Sequence, residues 1–214
     1  MRMFQVCVCG QPLQLNEQPT PQPAGSEVLL KVLAAGVCHS DLHLADGWFD
    51  LGGGKKMSLA DRGMKLPVTL GHENVGEVVA VGPDAKGVKV GDRRLAHPWI
   101  GCGTCGPCKR GDENLCRAMR SLGVFSNGGY ADYLMVPHPR YLFDIGDLPP
   151  DRAAPLACPT SAQSRNRKST LAKSAWKSRS QAMGLGVVFS ALGEMTRNAS
   201  LRSRGVGSRP TVVR

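Results

Sequence analysis

No apolar run in this 214-residue chain approaches the roughly 18 residues that a membrane-spanning helix needs, which excludes an integral helical membrane protein. The opening residues, MRMFQVCVCG, lack a long apolar stretch with a small-residue cleavage site, so no secretory leader is expected and a cytoplasmic location is. No internal repeat is present. No P-loop spacing surrounds Gly52–Lys56 (GGGKK), so that stretch reads as a flexible loop and not as a phosphate cradle. Aromatic residues make up only 5% of the chain, and Trp176 and Phe189 alone follow Cys158. The formal net charge of +10 would ordinarily point to nucleic acid, but basic residues without interleaved aromatics do not support that partner.

Acidic residues are missing unevenly. Residues 159–214 hold 11 Lys and Arg against the single acid Glu194, together with ten serines, whereas residues 1–158 hold 16 basic and 16 acidic residues. The chain therefore divides near Cys158 into a neutral domain, 1–158, and a basic Ser/Arg-rich tail, 159–214. The tail has neither a sustained apolar face nor alternation, and disorder is the expectation for it. The domain reads as mainly β. Ser26–Ala35 and Val75–Val81 are rich in Val and Leu, Gly82–Gly91 supplies Gly and Pro punctuation, and Gly128–Pro137 opens on a Gly pair and continues as a strand. Pro149–Ala157 predicts a short helix with proline in its first turn. Short strands at this spacing suggest a small barrel or sandwich.

Eight cysteines are present, and four of them lie within GCGTCGPCKRGDENLC as Cys102, Cys105, Cys108 and Cys116. Paired cysteines two residues apart, with glycine beside them, let a tight loop turn its sulfurs inward, and four thiolates meet the demand of a closed tetrahedral structural zinc site. A disulfide framework fits poorly without secretion. Cys38 in GVCHSDLH, His72 and Glu73 in GHENVG, and Cys158 in PLAC form a second, scattered set that composition alone cannot connect. Cys7 and Cys9 are expected to be core or edge thiols of an N-terminal strand, and His97 and His138 to be structural or exposed.

GVCHSDLH, GHENVGEVVAVG, the VGDR segment at 90–93 and the four-cysteine run together resemble the zinc-dependent alcohol dehydrogenases of the medium-chain dehydrogenase/reductase superfamily. The match extends in order from about residue 1 to Cys158. The resemblance implies a GroES-like β-barrel with a four-cysteine zinc lobe, one structural and one catalytic Zn2+, NAD(P) as hydride acceptor, and a homo-oligomer. It implies that Cys38, His72 and Cys158 are catalytic zinc ligands, that Glu73 is the acid beside the metal, and that Ser40 and His43 relay the alcohol proton to solvent. Asp41 would steer a ligand histidine from outside the metal. Plainer readings stay open, with Ser40 and Asp41 as a helix N-cap pair and His43 as a surface histidine. In the implied reaction the metal lowers the pKa of a small alcohol, which yields its hydride to the nicotinamide and becomes an aldehyde or ketone. No membrane or nucleic-acid partner is implied.

The same family continues into a Rossmann domain, which this chain is expected to lack or to keep only as a vestige. Each βαβ unit takes about 30 residues or more, and 56 follow Cys158. Ala162 stands where the family has a cofactor-contacting threonine. Gly184 and Gly186 fall near its glycine fingerprint, but Phe189 occupies the third glycine's place. The abrupt change at Cys158 suggests a frame-shifted tail and impaired activity. A natural short variant and a non-catalytic zinc-binding GroES-like module are the alternatives.

Overall fold

In the computed structural model, which describes residues 1–158 and the backbone of residues 187–189, the elements are β1 (Arg2–Val6), β2 (Gln14–Glu17), β3 (Val28–Val37), α1 (His39–Asp46), β4 (Trp48–Asp50), β5 (Lys56–Ser58), β6 (Val68–Thr69), β7 (Glu73–Val81), β8 (Arg93–Ala96), α2 (Gly106–Lys109), β9 (Tyr133–Val136), β10 (Leu142–Asp144), α3 (Pro150–Ala153) and β11 (Val187–Phe189). The expectations for Ala162, for Gly184 and Gly186, and for the disorder and origin of the tail lie outside the described residues, apart from the three of β11. No described helix is long and apolar enough to cross a membrane.

The molecule is mainly strands, as the sequence suggests, and every pair of named strands is antiparallel. The larger sheet runs in the order β10-β8-β7-β3-β11, with β9 also on β3; a smaller sheet runs β2-β1-β6. β3 is the central strand. One edge pairs with β7 along nearly its whole length, and the other is shared by β9, opposite Val28–Lys31, and β11, opposite Ala35–Val37. Val28, Leu30, Val78, Leu134 and Val136 are buried on one side of these strands with Ile100, Leu122 and Tyr141. A strand closed in on both edges and filled with aliphatic residues is a rigid platform.

Two further packing units bear on the site. Phe4, Val6, Leu44, Val68, Leu70 and Tyr130 form one core, which seats α1 against the smaller sheet. Ala153, Ala154 and Ala157, all fully buried, pack against Ala34 of β3, Val75 of β7 and Leu95 of β8. Small side chains let the turn after α3 come close to the sheet, and this docking brings Cys158 to the end of β3 and β7.

Two local expectations are corrected. The strand β1 ends at Val6, so Cys7 and Cys9 lie in the turn after it, Cys9 exposed and Cys7 half-buried. Lys56 at the end of the Gly52–Lys56 stretch belongs to a strand: Gly52, Gly53 and Gly54 all have positive φ and turn β4 back onto β5, where the Lys56 ammonium sits 3.7 Å above the Trp48 ring.

Candidate metal centres

The four-cysteine run folds as a small lobe between β8 and β9. Cys105 precedes α2, Cys108 is inside it, and Cys116 follows a single 3-10 turn. Gly103 and Gly111 adopt positive φ where the loop reverses, a conformation that glycine takes without strain. The four sulfurs lie within 4.8 Å of one another, with Cys102 and Cys108 at 3.9 Å and Cys105 and Cys116 at 3.8 Å. A disulfide would need about 2.05 Å, whereas a tetrahedron with Zn–S of about 2.3 Å has sulfur–sulfur edges of about 3.8 Å. Backbone amides of Cys102 and Cys105 donate to the Cys116 and Cys102 sulfurs at 3.3 and 3.4 Å. The Thr104 hydroxyl and nearby amides draw the Cys102 thiol down to about 5, while burial pushes Cys108 up to about 12. Thiolates packed this closely repel one another, and the donor set fits a central Zn2+.

The lobe is tied to the barrel by Glu113. Its Oε2 accepts from the Gly101 amide at 2.9 Å and from the Tyr141 hydroxyl at 2.6 Å, and its Oε1 lies 3.2 Å from the Arg140 guanidinium. An added Cβ on Gly101 would stand 2.6 Å from the Cys108 sulfur, so the chain can pass there only as glycine.

The scattered set converges as well. In the β3–β7 register Gly36 faces Glu73. Antiparallel pairing then places Cys38, two residues beyond Gly36, and His72, one residue before Glu73, at the same end of the pair. With Cys158 they bring their ligand atoms within 4.8 Å of one another and of the Glu73 carboxylate. Two thiols, one imidazole and one carboxylate are a donor set that suits zinc. Gly36 leaves the room: a Cβ there would lie 2.2 Å from Glu73 Oε2.

Asp41 organises this end of the sheet. Its Oδ2 accepts from the Cys38 amide at 2.9 Å, which caps α1, and its Oδ1 accepts from the Gly71 amide at 3.3 Å. Oδ1 also lies 3.2 Å from His72 Nδ1, within ion-pair range but off the line of a straight hydrogen bond. With Nδ1 turned to Asp41, the nitrogen left for a metal is Nε2. Burial opposes charge on His72, but Asp41, Cys158 and Cys38 outweigh it and hold the imidazole up at about 12. The same imidazole brings the Cys38 thiol down to about 6, and burial with the Cys38 charge raises Glu73 to about 7. Tyr130, deep beside them, is pushed above its ordinary value by burial and then by Asp41 and its anionic neighbours.

Ser40 Oγ lies 3.7 Å from the Cys38 sulfur, at the rim of the cluster. His43 is half-buried one turn along α1, with its ring 4.7 Å from that of exposed His39 and 5.0 Å from Phe49. His97 is half-buried against Phe143, and His138 accepts from the Arg140 amide to start a 3-10 turn, so both are structural. Glu113 and Tyr130 carry no signal in motif spacing; only the folded contacts reveal them.

A family model, the alcohol dehydrogenase GroES-like domain, matches residues 24–147. The chain is 45% identical over 158 residues to an NAD-dependent alcohol dehydrogenase of Sulfurisphaera tokodaii, covering 74% of this chain and 44% of that one. Among solved structures, the alcohol dehydrogenase of the archaeon Aeropyrum pernix superposes with a TM-score of 0.63 at 30% identity over 73% of this chain and 44% of its own. A cobalt- and zinc-bound thermostable alcohol dehydrogenase of Pyrobaculum aerophilum gives 0.60 at 29% identity, with the same coverage. The chain spans less than half the length of these relatives.

Proposed function

The chain belongs to the alcohol dehydrogenase GroES-like domain family of the medium-chain dehydrogenase/reductase superfamily, and from that membership we propose that it serves the zinc-dependent oxidation of a small alcohol to an aldehyde or ketone, with NAD(P) as hydride acceptor. The observation that carries the reading is the convergence of Cys38, His72, Glu73 and Cys158, residues far apart in sequence, into one cluster of ligand atoms. Three of them suffice for a catalytic zinc, which keeps an open coordination position. Bound there, Zn2+ supplies the Lewis acidity that lets an alcohol lose its proton near neutral pH.

The protein's own side chains do the rest. Cys38, His72 and Cys158 hold the metal, Asp41 fixes the tautomer and direction of His72, and Glu73 stands beside them as a buried acid. Ser40 Oγ takes the alcohol proton at the rim of the cluster. His43, three residues further on α1 and so on the same helical face, passes it outward. Cys102, Cys105, Cys108 and Cys116 hold a second, structural zinc. Because the strand pairs are all antiparallel, the described residues contain no βαβ unit. No residue among them is assigned to NAD(P).

Metal analysis and turnover on the purified chain test the reading together. The expected result is two zincs per chain with weak alcohol-dependent reduction of NAD(P), since no described residue is assigned to the cofactor. One zinc per chain, without turnover, would instead identify a non-catalytic zinc-binding module.

A further inference from the structure

Tyr130 is 4% exposed and belongs to neither cluster of metal-binding side chains. Its backbone runs beside the segment that leads into His72: Gly128 donates to Thr69 O at 2.8 Å, Gly129 to Gly71 O at 2.9 Å, and Tyr130 itself to Leu70 O at 3.0 Å. Its ring lies directly on Gly71, where an added Cβ would stand 2.5 Å from Cδ1. Its hydroxyl crosses to the other segment and donates to Gly36 O at 3.2 Å. One stiff side chain therefore bears on the residue before His72 and holds the residue two before Cys38. A Cβ on Gly36 would stand 2.2 Å from Glu73 Oε2, so the Glu73 carboxylate also lies close to this residue. Neither segment can shift without moving the phenol.

We propose that Tyr130 is a positioning residue, whose ring and hydroxyl together set the separation of Cys38 from His72 and so the metal affinity of that cluster. The inference rests on reading the cluster as a zinc centre. A tyrosine that merely filled space would be replaced by phenylalanine without loss, because the ring contact with Gly71 would remain. A tyrosine that sets the separation would not, because the tie to Gly36 is made by the hydroxyl. Loss of a group that supports metal ligands from outside typically weakens binding by about 10–100-fold.

The test compares the full chain with its Tyr130→Phe variant, both loaded with Co2+ as a spectroscopic substitute for zinc and then titrated with a chelator. The wild type should hold two ions, released in separate steps. The variant should keep its far-ultraviolet dichroism and its four-cysteine ion unchanged. At the Cys38–His72–Cys158 cluster it should bind about tenfold more weakly, at the lower end of that range, with a shifted cobalt absorption band. Tyr130→Leu, which also removes the ring, should weaken that ion further. An unaltered affinity and spectrum in Tyr130→Phe overturns the inference, and so does equal weakening of both ions, which would mark a general loss of stability. A wild type that takes up only the four-cysteine ion overturns the zinc reading itself, and this shows before any variant is made.

Discussion

The two candidate metal clusters of this chain are built in opposite ways. In the four-cysteine lobe, all candidate ligands come from one loop between Cys102 and Cys116, and glycines at positive φ bend that loop so that its sulfurs converge. In the other cluster, the candidate ligands arrive from the end of β3, the start of β7 and the turn after α3, brought together by the β3–β7 register and by the docking of that turn on the sheet. The lobe carries its geometry in local sequence, and its four close thiols would repel one another once ionised unless a metal stood between them. The distributed site carries its geometry in the sheet, so it is largely preorganised before metal arrives. Metal should therefore couple to folding mostly at the lobe, as it does in small zinc modules, and to chemistry at the distributed site.

The largest expected effect comes from removing a ligand. Cys38→Ala should abolish turnover and lower the zinc content by one per chain, leaving the lobe's ion in place, as measured by metal analysis of the purified variant. Loss of both ions, or of neither, would contradict two independent sites. A smaller effect follows from Asp41→Asn. The amide keeps the size of the side chain but loses the charge that faces His72 and the second acceptor that caps α1. Zinc affinity at the distributed site should fall by about 10–100-fold, read by chelator competition, with the lobe unaffected. If the lobe's ion were released as readily, the two regions would share one support.

The same contrast decides what the sequence discloses. Four cysteines with two- and seven-residue gaps announce the lobe, because the ligands and the turn-forming glycines are neighbours. The strands β3 and β7 are legible from their aliphatic runs, and α3 from its prolines. The meeting of Cys38, His72 and Cys158 is not legible from spacing, since it depends on which residue of β3 faces which residue of β7. Resemblance to a family supplies it, and the Gly36–Glu73 register gives the physical reason. The hairpin at 48–58 is hidden by the flexibility that a glycine run suggests. Glu113 and Tyr130 are ordinary members of a loop and a strand until the fold brings Gly101, Tyr141, Gly36 and Gly71 to them.

The smallest effect is expected from Glu113→Gln, which probes how the lobe is fastened to the barrel. The glutamate side chain is 18% exposed and receives the Gly101 amide and the Tyr141 hydroxyl, with Arg140 alongside. Hydrogen bonds to a charged group contribute about 1.5–3 kcal/mol, and glutamine retains one acceptor of the same reach. The Arg140 side chain is half exposed, so its ion pair adds little. The net cost should be about 1–2 kcal/mol, confined to the lobe. Limited proteolysis should then cut more readily between residues 101 and 120, and the lobe's zinc should exchange faster, while the ion at Cys38, His72 and Cys158 keeps its affinity. Equal loosening at both sites would mean that the barrel transmits strain between them. The division into a locally built and a sheet-built centre would then have to be given up.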